Sequence, residues 1–221
     1  MSIRIPTYQE AYECMLHRGK FSSAPRLWPG LRGYWDMTLG KAGLRALDFS
    51  GNRNHGTLTN GPTWVPGPMG TALDFSGGGD ENVTGGAVVS GYPCTFACGF
   101  VSDVTNKDQE LVAVSNSTNT SWLVIGLASS GRVFISAAET SKYSATSAFS
   151  AGRWYTAAVV FASATDRRCY LDGNLVVSDT ISKTVSGLNN TTLGGLYYNG
   201  GFYSAGVLDG RMSWASIWSR A

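Results

Sequence analysis

Residues 92–101 constrain the fold more than any other stretch, because they are nearly all apolar or prone to β-structure. Side chains alternate along a strand, so every second residue points to the same face. One face would carry the larger side chains, those of Cys94, Phe96, Cys98 and Phe100. The other would carry smaller ones, those of Thr95, Ala97, Gly99 and Val101. Such a strand is typical of the centre of a two-sheet sandwich.

The composition indicates one domain of short strands joined by many turns. Of the 221 residues, 43% are hydrophobic and 12% aromatic, so the chain can bury a sizeable core and is unlike a disordered chain. Only 14% of the residues are charged, whereas 28 residues are glycine, and this composition is typical of chains rich in strands and turns. About a dozen strand-like segments separated by turn pairs, such as Asp172-Gly173, predict an all-β sandwich or jelly roll.

Residues 1–30 differ from the rest and are predicted to form an arm ahead of a domain at residues 31–221. Within the arm, residues 8–17 have the pattern of about two helical turns, and glycines and prolines break it afterwards. We expect the arm to bind its own domain or other subunits, and we expect a homo-oligomer. Its candidate contact residues are Tyr8, Tyr12, Met15 and Leu16.

The first residues lack the apolar segment of a secretory signal, and no apolar run approaches the roughly 18 residues of a membrane span. We therefore expect a protein that is made and folded in a cytosol. The net charge is +2 and the basic residues are scattered, which argues against nucleic-acid or membrane partners. The densest basic pair, Arg167-Arg168, is predicted to lie in a solvated turn.

The cysteines predict buried free thiols rather than a disulfide framework. Cys94 and Cys98 would lie on one face of one strand, roughly 13 Å apart, which is too far for a bridge. A bridge from either of them to Cys169 stays open. The two histidines have no partners at the spacing of a zinc site.

Several segments in a fixed order resemble the laminin-G-like branch of the concanavalin A-like lectins and glucanases. The first contain Gly33-Tyr34-Trp35-Asp36 and the turn-rich run from Leu47. The full set covers residues 33–36, 47–67, 70–75, 96–100, 152–159, 169–176 and 208–221. The resemblance implies two antiparallel sheets in a jelly-roll sandwich, with the first and last strands adjacent.

The resemblance also sets what a catalytic site would need. Glycosidases of this superfamily use two Glu and one Asp spaced closely on one strand, and no Glu-x-Asp-x-x-Glu occurs in this chain. Asp108 and Glu110 would share a strand face but lack a third carboxylate, and we interpret them as a solvated turn and strand start. We therefore predict that the protein is not an enzyme.

A calcium site is one hypothesis for the glycine-rich loop after residue 47. Asp48, Asn52 and Asn54 offer the hard oxygen ligands that calcium prefers, and similar domains can hold calcium in such a loop. The alternative is a network of Asx turns, in which these side chains bond to their own backbone. The closing strand has Ser213-Trp214 where relatives often have an acidic pair, which removes charge from the ligand set. No other cofactor is expected.

A sugar-binding site would need exposed aromatic rings beside planar hydrogen-bonding groups. The candidate residues are Trp122, Tyr197, Tyr198, Asn199 and Tyr203. The alternative is that these side chains fill the core or a subunit contact.

These patterns predict a non-enzymatic structural or adhesive component of a large assembly, such as a phage capsid decoration or virion surface protein made in the host cytoplasm. The alternative is a secreted or extracellular carbohydrate-binding module or lectin that recognises a cell-surface glycan. The fold alone does not decide between them.

Overall fold

The structure, a computed structural model, describes residues 29–118, 120–198 and 200–221, without the side chains at positions 198 and 204. These residues form two eight-stranded antiparallel sheets and a small hairpin, which confirms the predicted all-β jelly-roll sandwich. None of the helices in this part of the chain is long and apolar enough to cross a membrane. The predicted arm, with Tyr8, Tyr12, Met15 and Leu16, lies outside the described residues.

Sheet 1 contains, in spatial order, β14 (Asn174–Asp179), β13 (Asp166–Leu171), β12 (Trp154–Ser163), β7 (Cys94–Ser102), β18 (Asp209–Trp218), β5 (Gly70–Ser76) and β4 (Thr63–Gly67), and β1 (Leu31–Asp36) pairs with β18. Sheet 2 contains β11 (Thr140–Tyr143), β10 (Arg132–Ala137), β9 (Trp122–Ala128), β8 (Gln109–Ser115), β15 (Asn190–Leu193), β6 (Asn82–Gly86), β3 (Gly56–Thr59) and β2 (Arg45–Ala46). The hairpin consists of β16 (Tyr197–Tyr198) and β17 (Gly201–Phe202).

Strand β7 is the centre of sheet 1, as the sequence predicts. It lies between β12 and β18, and all nine of its residues are buried. Its larger side chains enter the core between the sheets, namely Cys94, Phe96, Cys98 and Phe100. On the opposite face Ala97 packs with Ala158 and Trp214 in a separate cluster. A Cβ atom at Gly99 would lie 2.4 Å from the Trp214 Nε1 atom, so glycine makes room for that ring.

The first and last strands pair as the resemblance implies. Tyr34 lies opposite Ser216, and Trp35 lies opposite Ala215. Because β1 covers the half of β18 that β5 leaves unpaired, the closing strand has neighbours on both sides along its length.

Two strands contain residue types that are uncommon in strands. Thr63–Gly67 contains a proline and a glycine, yet it pairs with β5 at the edge of sheet 1. Edge strands tolerate proline, because one side of the strand makes no ladder hydrogen bonds. Strand β6, Asn82–Gly86, ends in two glycines, and its Val83 side chain enters the core.

The interpretation of Arg167 as a solvated turn residue is wrong. Arg167 lies in β13 and is 1% exposed, because the β13–β14 register places it opposite Asp179. Its guanidinium donates two hydrogen bonds to Asp179 Oδ2, at 2.6 and 3.1 Å, and further ones to the carbonyls of Ala164 and Ile181. Only Arg168 of the predicted pair is exposed, and it bonds to Asp166.

The three cysteines of the described residues are free and buried. Burial raises the pKa of the Cys94 thiol to about 12 and raises the pKa values of Cys98 and Cys169 further. Because the thiolate is the reactive form, these side chains act as small apolar core residues.

Candidate functional site

The predicted residues Trp122 and Tyr197 lie at the same end of sheet 2. Trp122 begins β9 opposite Ser115 of β8, and the Ser115 hydroxyl donates to the carbonyl of Tyr197 at 2.6 Å. Trp122 is half-buried, and its indole nitrogen donates to Ser136 Oγ at 2.9 Å. Its ring packs against a cluster on the outer face of sheet 2, formed by Ala113, Val124, Ala128, Phe134 and Leu196.

The late loop brings further aromatic residues to this face. The Tyr197 and Phe202 rings meet edge to face with centroids 5.1 Å apart, and both are half-buried. Tyr203 is 41% exposed, and its backbone nitrogen donates to the carbonyl of Leu196, a residue of the outer cluster. The backbone of Tyr198 pairs with Gly201, whereas Asn199 lies outside the described residues.

Sequence reasoning missed two aromatic residues of the same face, Phe134 and Tyr143. They are cross-strand neighbours with ring centroids 5.7 Å apart, and Tyr143 is 39% exposed. The Arg132 guanidinium lies 5.4 Å above the Tyr143 ring. The sequence signal that could have identified Phe134 is the alternation along β10. Arg132, Phe134 and Ser136 lie on one face of this strand, and the core side chains lie on the other. We call the outer-face residues Trp122, Phe134, Tyr143, Tyr197, Phe202 and Tyr203 the aromatic strip.

Accessible polar groups lie on both sides of Trp122. On one side Ser141 of β11 lies opposite Ser136, the partner of the indole, and its side chain is exposed. On the other side Asn190 of β15 lies opposite Ser115 and is half-buried. Residues directly opposite in a ladder share a face, and adjacent strands are about 4.8 Å apart. The strip is therefore flanked by a hydroxyl and a planar amide, each within about two strand spacings of the indole.

The interpretation of Glu110 as a solvated residue is wrong. It lies on the outer face of sheet 2 opposite Gly126, and it is 5% exposed. Its Oε2 atom has no hydrogen-bond partner in the described part of the chain, and a Cβ atom at Gly206 would lie only 1.6 Å from it. Burial, with a smaller effect from Asp108, raises the pKa of Glu110 to about 8. The carboxyl is therefore mainly protonated at pH 7.

The loop proposed for calcium is organised by its own side chains. The Asp48 carboxylate accepts four hydrogen bonds of 2.8–2.9 Å, from the backbone nitrogens of Tyr34, Ser50 and Asn54 and from the Ser50 hydroxyl. Asn52 and Asn54 each donate a side-chain N–H to the carbonyl of Arg32. The bond from Ser50 to Asp48 is that of the predicted Asx turn, whereas the bonds to Arg32 and Tyr34 join the loop to β1. Among the residues described, no group of three or more His, Cys, Asp or Glu is placed to hold a metal ion.

We expect Asp48→Ala to lower the free energy of unfolding by about 2 kcal/mol, because it leaves backbone N–H groups without their acceptor. Asp48→Asn, which keeps one acceptor oxygen, should cost less. Excess calcium or a chelator should not change the melting temperature of the wild type. Thermal unfolding with and without calcium measures both effects, and a calcium-dependent rise that Asp48→Ala abolishes would instead establish a metal site.

Comparison with known proteins identifies the family. The laminin-G family model of the concanavalin A-like lectin/glucanases superfamily matches residues 76–221. This match covers more than half of the chain, and the chain therefore belongs to that superfamily. A search of curated proteins gave no significant match.

Solved structures share the fold at low sequence identity. Domain 4 of AbnA, an extracellular GH43 arabinanase from Geobacillus stearothermophilus solved with arabinotriose, is 15% identical with a TM-score of 0.66, covering 85% of this chain and 91% of that domain. The CBM40 of the Ruminococcus gnavus IT-sialidase, bound to α2,3-sialyllactose, is 17% identical with a TM-score of 0.51, covering 58% and 77%. The NanB sialidase from Streptococcus pneumoniae is 19% identical with a TM-score of 0.53 over 61% of this chain, which spans only 23% of NanB.

Proposed function

We propose that the protein is a carbohydrate-binding module whose binding surface is the aromatic strip. The observation that carries the proposal is a group of aromatic rings on the outer face of sheet 2, with Tyr143 and Tyr203 exposed, Trp122 half-buried and Phe134 buried beneath them. Sugars present apolar C–H faces and hydroxyl edges together. Aromatic rings with a polar tip pack against the C–H faces, and planar amides and hydroxyls form hydrogen bonds with the sugar hydroxyls.

The relatives support this alternative of the two sequence-based hypotheses. Two of the similar folds were solved with saccharides bound, arabinotriose and α2,3-sialyllactose. The proteins named above are a domain of an arabinanase, a CBM40 of a sialidase and a sialidase. The virion role, the subunit contacts of the arm, the absence of catalysis and the localisation stay predictions.

The test is a glycan array probed with the wild type and with Trp122→Ala and Tyr143→Ala. We expect the wild type to bind a group of related saccharides, and each variant to lose about tenfold or more in affinity, since removing a central aromatic contact costs about 2 kcal/mol. Trp64→Ala is the matched control, because Trp64 is also half-buried but packs at the edge of sheet 1.

Two outcomes would contradict the proposal. One is that the folded wild type binds no saccharide on the array. The other is that Trp64→Ala weakens binding as much as Trp122→Ala, because the loss would then come from general destabilisation. Melting temperatures of all variants should accompany the array to separate binding from folding.

A further inference from the structure

A groove of about 460 Å³ lies beside the aromatic strip, on the side of the sandwich where the edges of the two sheets meet. One wall is the segment of residues 144–148, which follows β11. The other wall is the β13–β14 hairpin with its turn at Asp172 and Gly173. The volume is within the range of about 300–1,000 Å³ that small-ligand sites occupy.

Arg153 and Asp172 give this groove a fixed, charge-balanced polar group. The Arg153 guanidinium lies 4.6 Å above the ring of Tyr155 and donates to Asp172 Oδ2 at 2.9 Å. The other carboxylate oxygen accepts from the backbone nitrogen of Thr156 at 2.9 Å, which holds Asp172 in place. The Arg153 side chain is nevertheless 65% exposed, so a ligand in the groove can reach it.

The hairpin wall adds one amide and one aliphatic surface. Asn174 begins β14 with an exposed side chain, and Leu175 beside it is 55% exposed. On the facing wall Thr146 and Ser147 offer exposed hydroxyls. Paired hydrogen-bonding groups without net charge, next to an aliphatic patch, fit an uncharged polyhydroxylated ligand.

The groove begins where the aromatic strip ends. Tyr143 belongs to the strip, and Ser144, the next residue, lines the groove. Arg132 joins the two surfaces, because its guanidinium lies over the Tyr143 ring while its Nε donates to the carbonyl of Ser144 at 2.7 Å. Tyr143 and the groove are therefore neighbours along the edge of sheet 2, and a ligand several sugars long would reach from one to the other.

We infer that the groove binds further units of the same neutral oligosaccharide that the aromatic strip binds, so that the protein recognises a chain of several sugars rather than one terminal sugar. This inference rests on the proposed function. The strip supplies stacking, and the groove supplies the Arg153–Asp172 pair, the Asn174 amide and the Leu175 surface for units further along the chain.

The experiment measures affinity against chain length. The probes are arabinan, xylan and cellulose oligosaccharide ladders from two to six units, with lactose and α2,3-sialyllactose as an uncharged and charged pair. For the ladder that binds, we expect wild-type affinity to increase about tenfold or more from the disaccharide to the longest member. The double variant Asn174→Ala/Leu175→Ala should lose this increase and keep the disaccharide affinity. Ile181→Ala is the matched control, since Ile181 is 50% exposed but does not line the groove.

The outcomes separate this inference from the proposed function. If Trp122→Ala weakens every length but the double variant matches the wild type at every length, the strip binds saccharide and the groove does not. If sialyllactose binds and neither lactose nor any neutral ladder does, the assignment of an uncharged ligand is wrong. If no saccharide binds, both the proposed function and this inference are wrong. Both groove substitutions are at exposed positions, and equal melting temperatures will verify that the variant is folded.

Discussion

Asp179→Ala is expected to lower the free energy of unfolding by about 3–5 kcal/mol, because it leaves the buried guanidinium of Arg167 without a counter-charge. The side chains of the pair are 1% and 3% exposed, with N–O contact at 2.6 Å. Breaking such a pair by removing one member costs far more than the pair contributes, since the remaining charge stays in a poorly solvated site. Urea unfolding at neutral pH measures the change.

The chain provides its own control in the next ion pair along β13. Arg168 and Asp166 are also bonded, but their side chains are 45% and 41% exposed. Asp166→Ala should therefore cost less than about 1 kcal/mol. The double variant Arg167→Met/Asp179→Leu should recover much of the stability that Asp179→Ala loses. Equal losses for Asp179→Ala and Asp166→Ala would show that burial of the Arg167 pair does not have the assigned energetic role.

Glu110→Gln is expected to remove a pH dependence of stability and to stabilise the protein at pH 8. The pKa of Glu110 is raised in the folded state to about 8, above its ordinary value of 4.5. Between these values the folded state keeps a proton that the unfolded state releases, so stability decreases as pH rises through this window. The total decrease is on the order of 5 kcal/mol, and glutamine, which cannot ionise, should abolish it.

Urea unfolding of the wild type and Glu110→Gln between pH 5 and pH 9 measures this difference. Asp108→Asn is the control, because Asp108 is exposed and makes only the smaller contribution to the shift. The control should keep most of the slope. A wild type with constant stability across the window, or a slope that persists in Glu110→Gln, would contradict the assignment of a neutral, buried carboxyl.

The sheet architecture could be predicted from sequence, because alternation of side chains determines it. In β7 the larger and smaller side chains separate as the pattern of residues 92–101 predicts. The turn at Asp172 and Gly173 also lies where its residue types place it, with positive φ at both positions. These features depend on residues close together in the sequence, so local sequence patterns predict them.

The environments of Arg167 and Glu110 could not be predicted, because they depend on residues distant along the chain. Arg167 can be buried because the β13–β14 register places the carboxylate of Asp179 beside its guanidinium. Glu110 is buried because the loop containing Gly206 covers its carboxyl. Only part of the aromatic strip could be predicted, because its membership also depends on residues distant along the chain. Trp122 and Tyr197 stand out in the sequence, whereas Phe134 and Tyr143 become part of one surface only when β9, β10 and β11 pair.

The most direct test of the proposed binding surface is a crystal structure of the protein with the saccharide that binds best on the array. We predict a sugar ring within about 4 Å of the Trp122 or Tyr143 ring, with hydroxyls bonded to groups flanking the strip. A saccharide bound on the outer face of sheet 1, with the aromatic strip open to solvent, would contradict it.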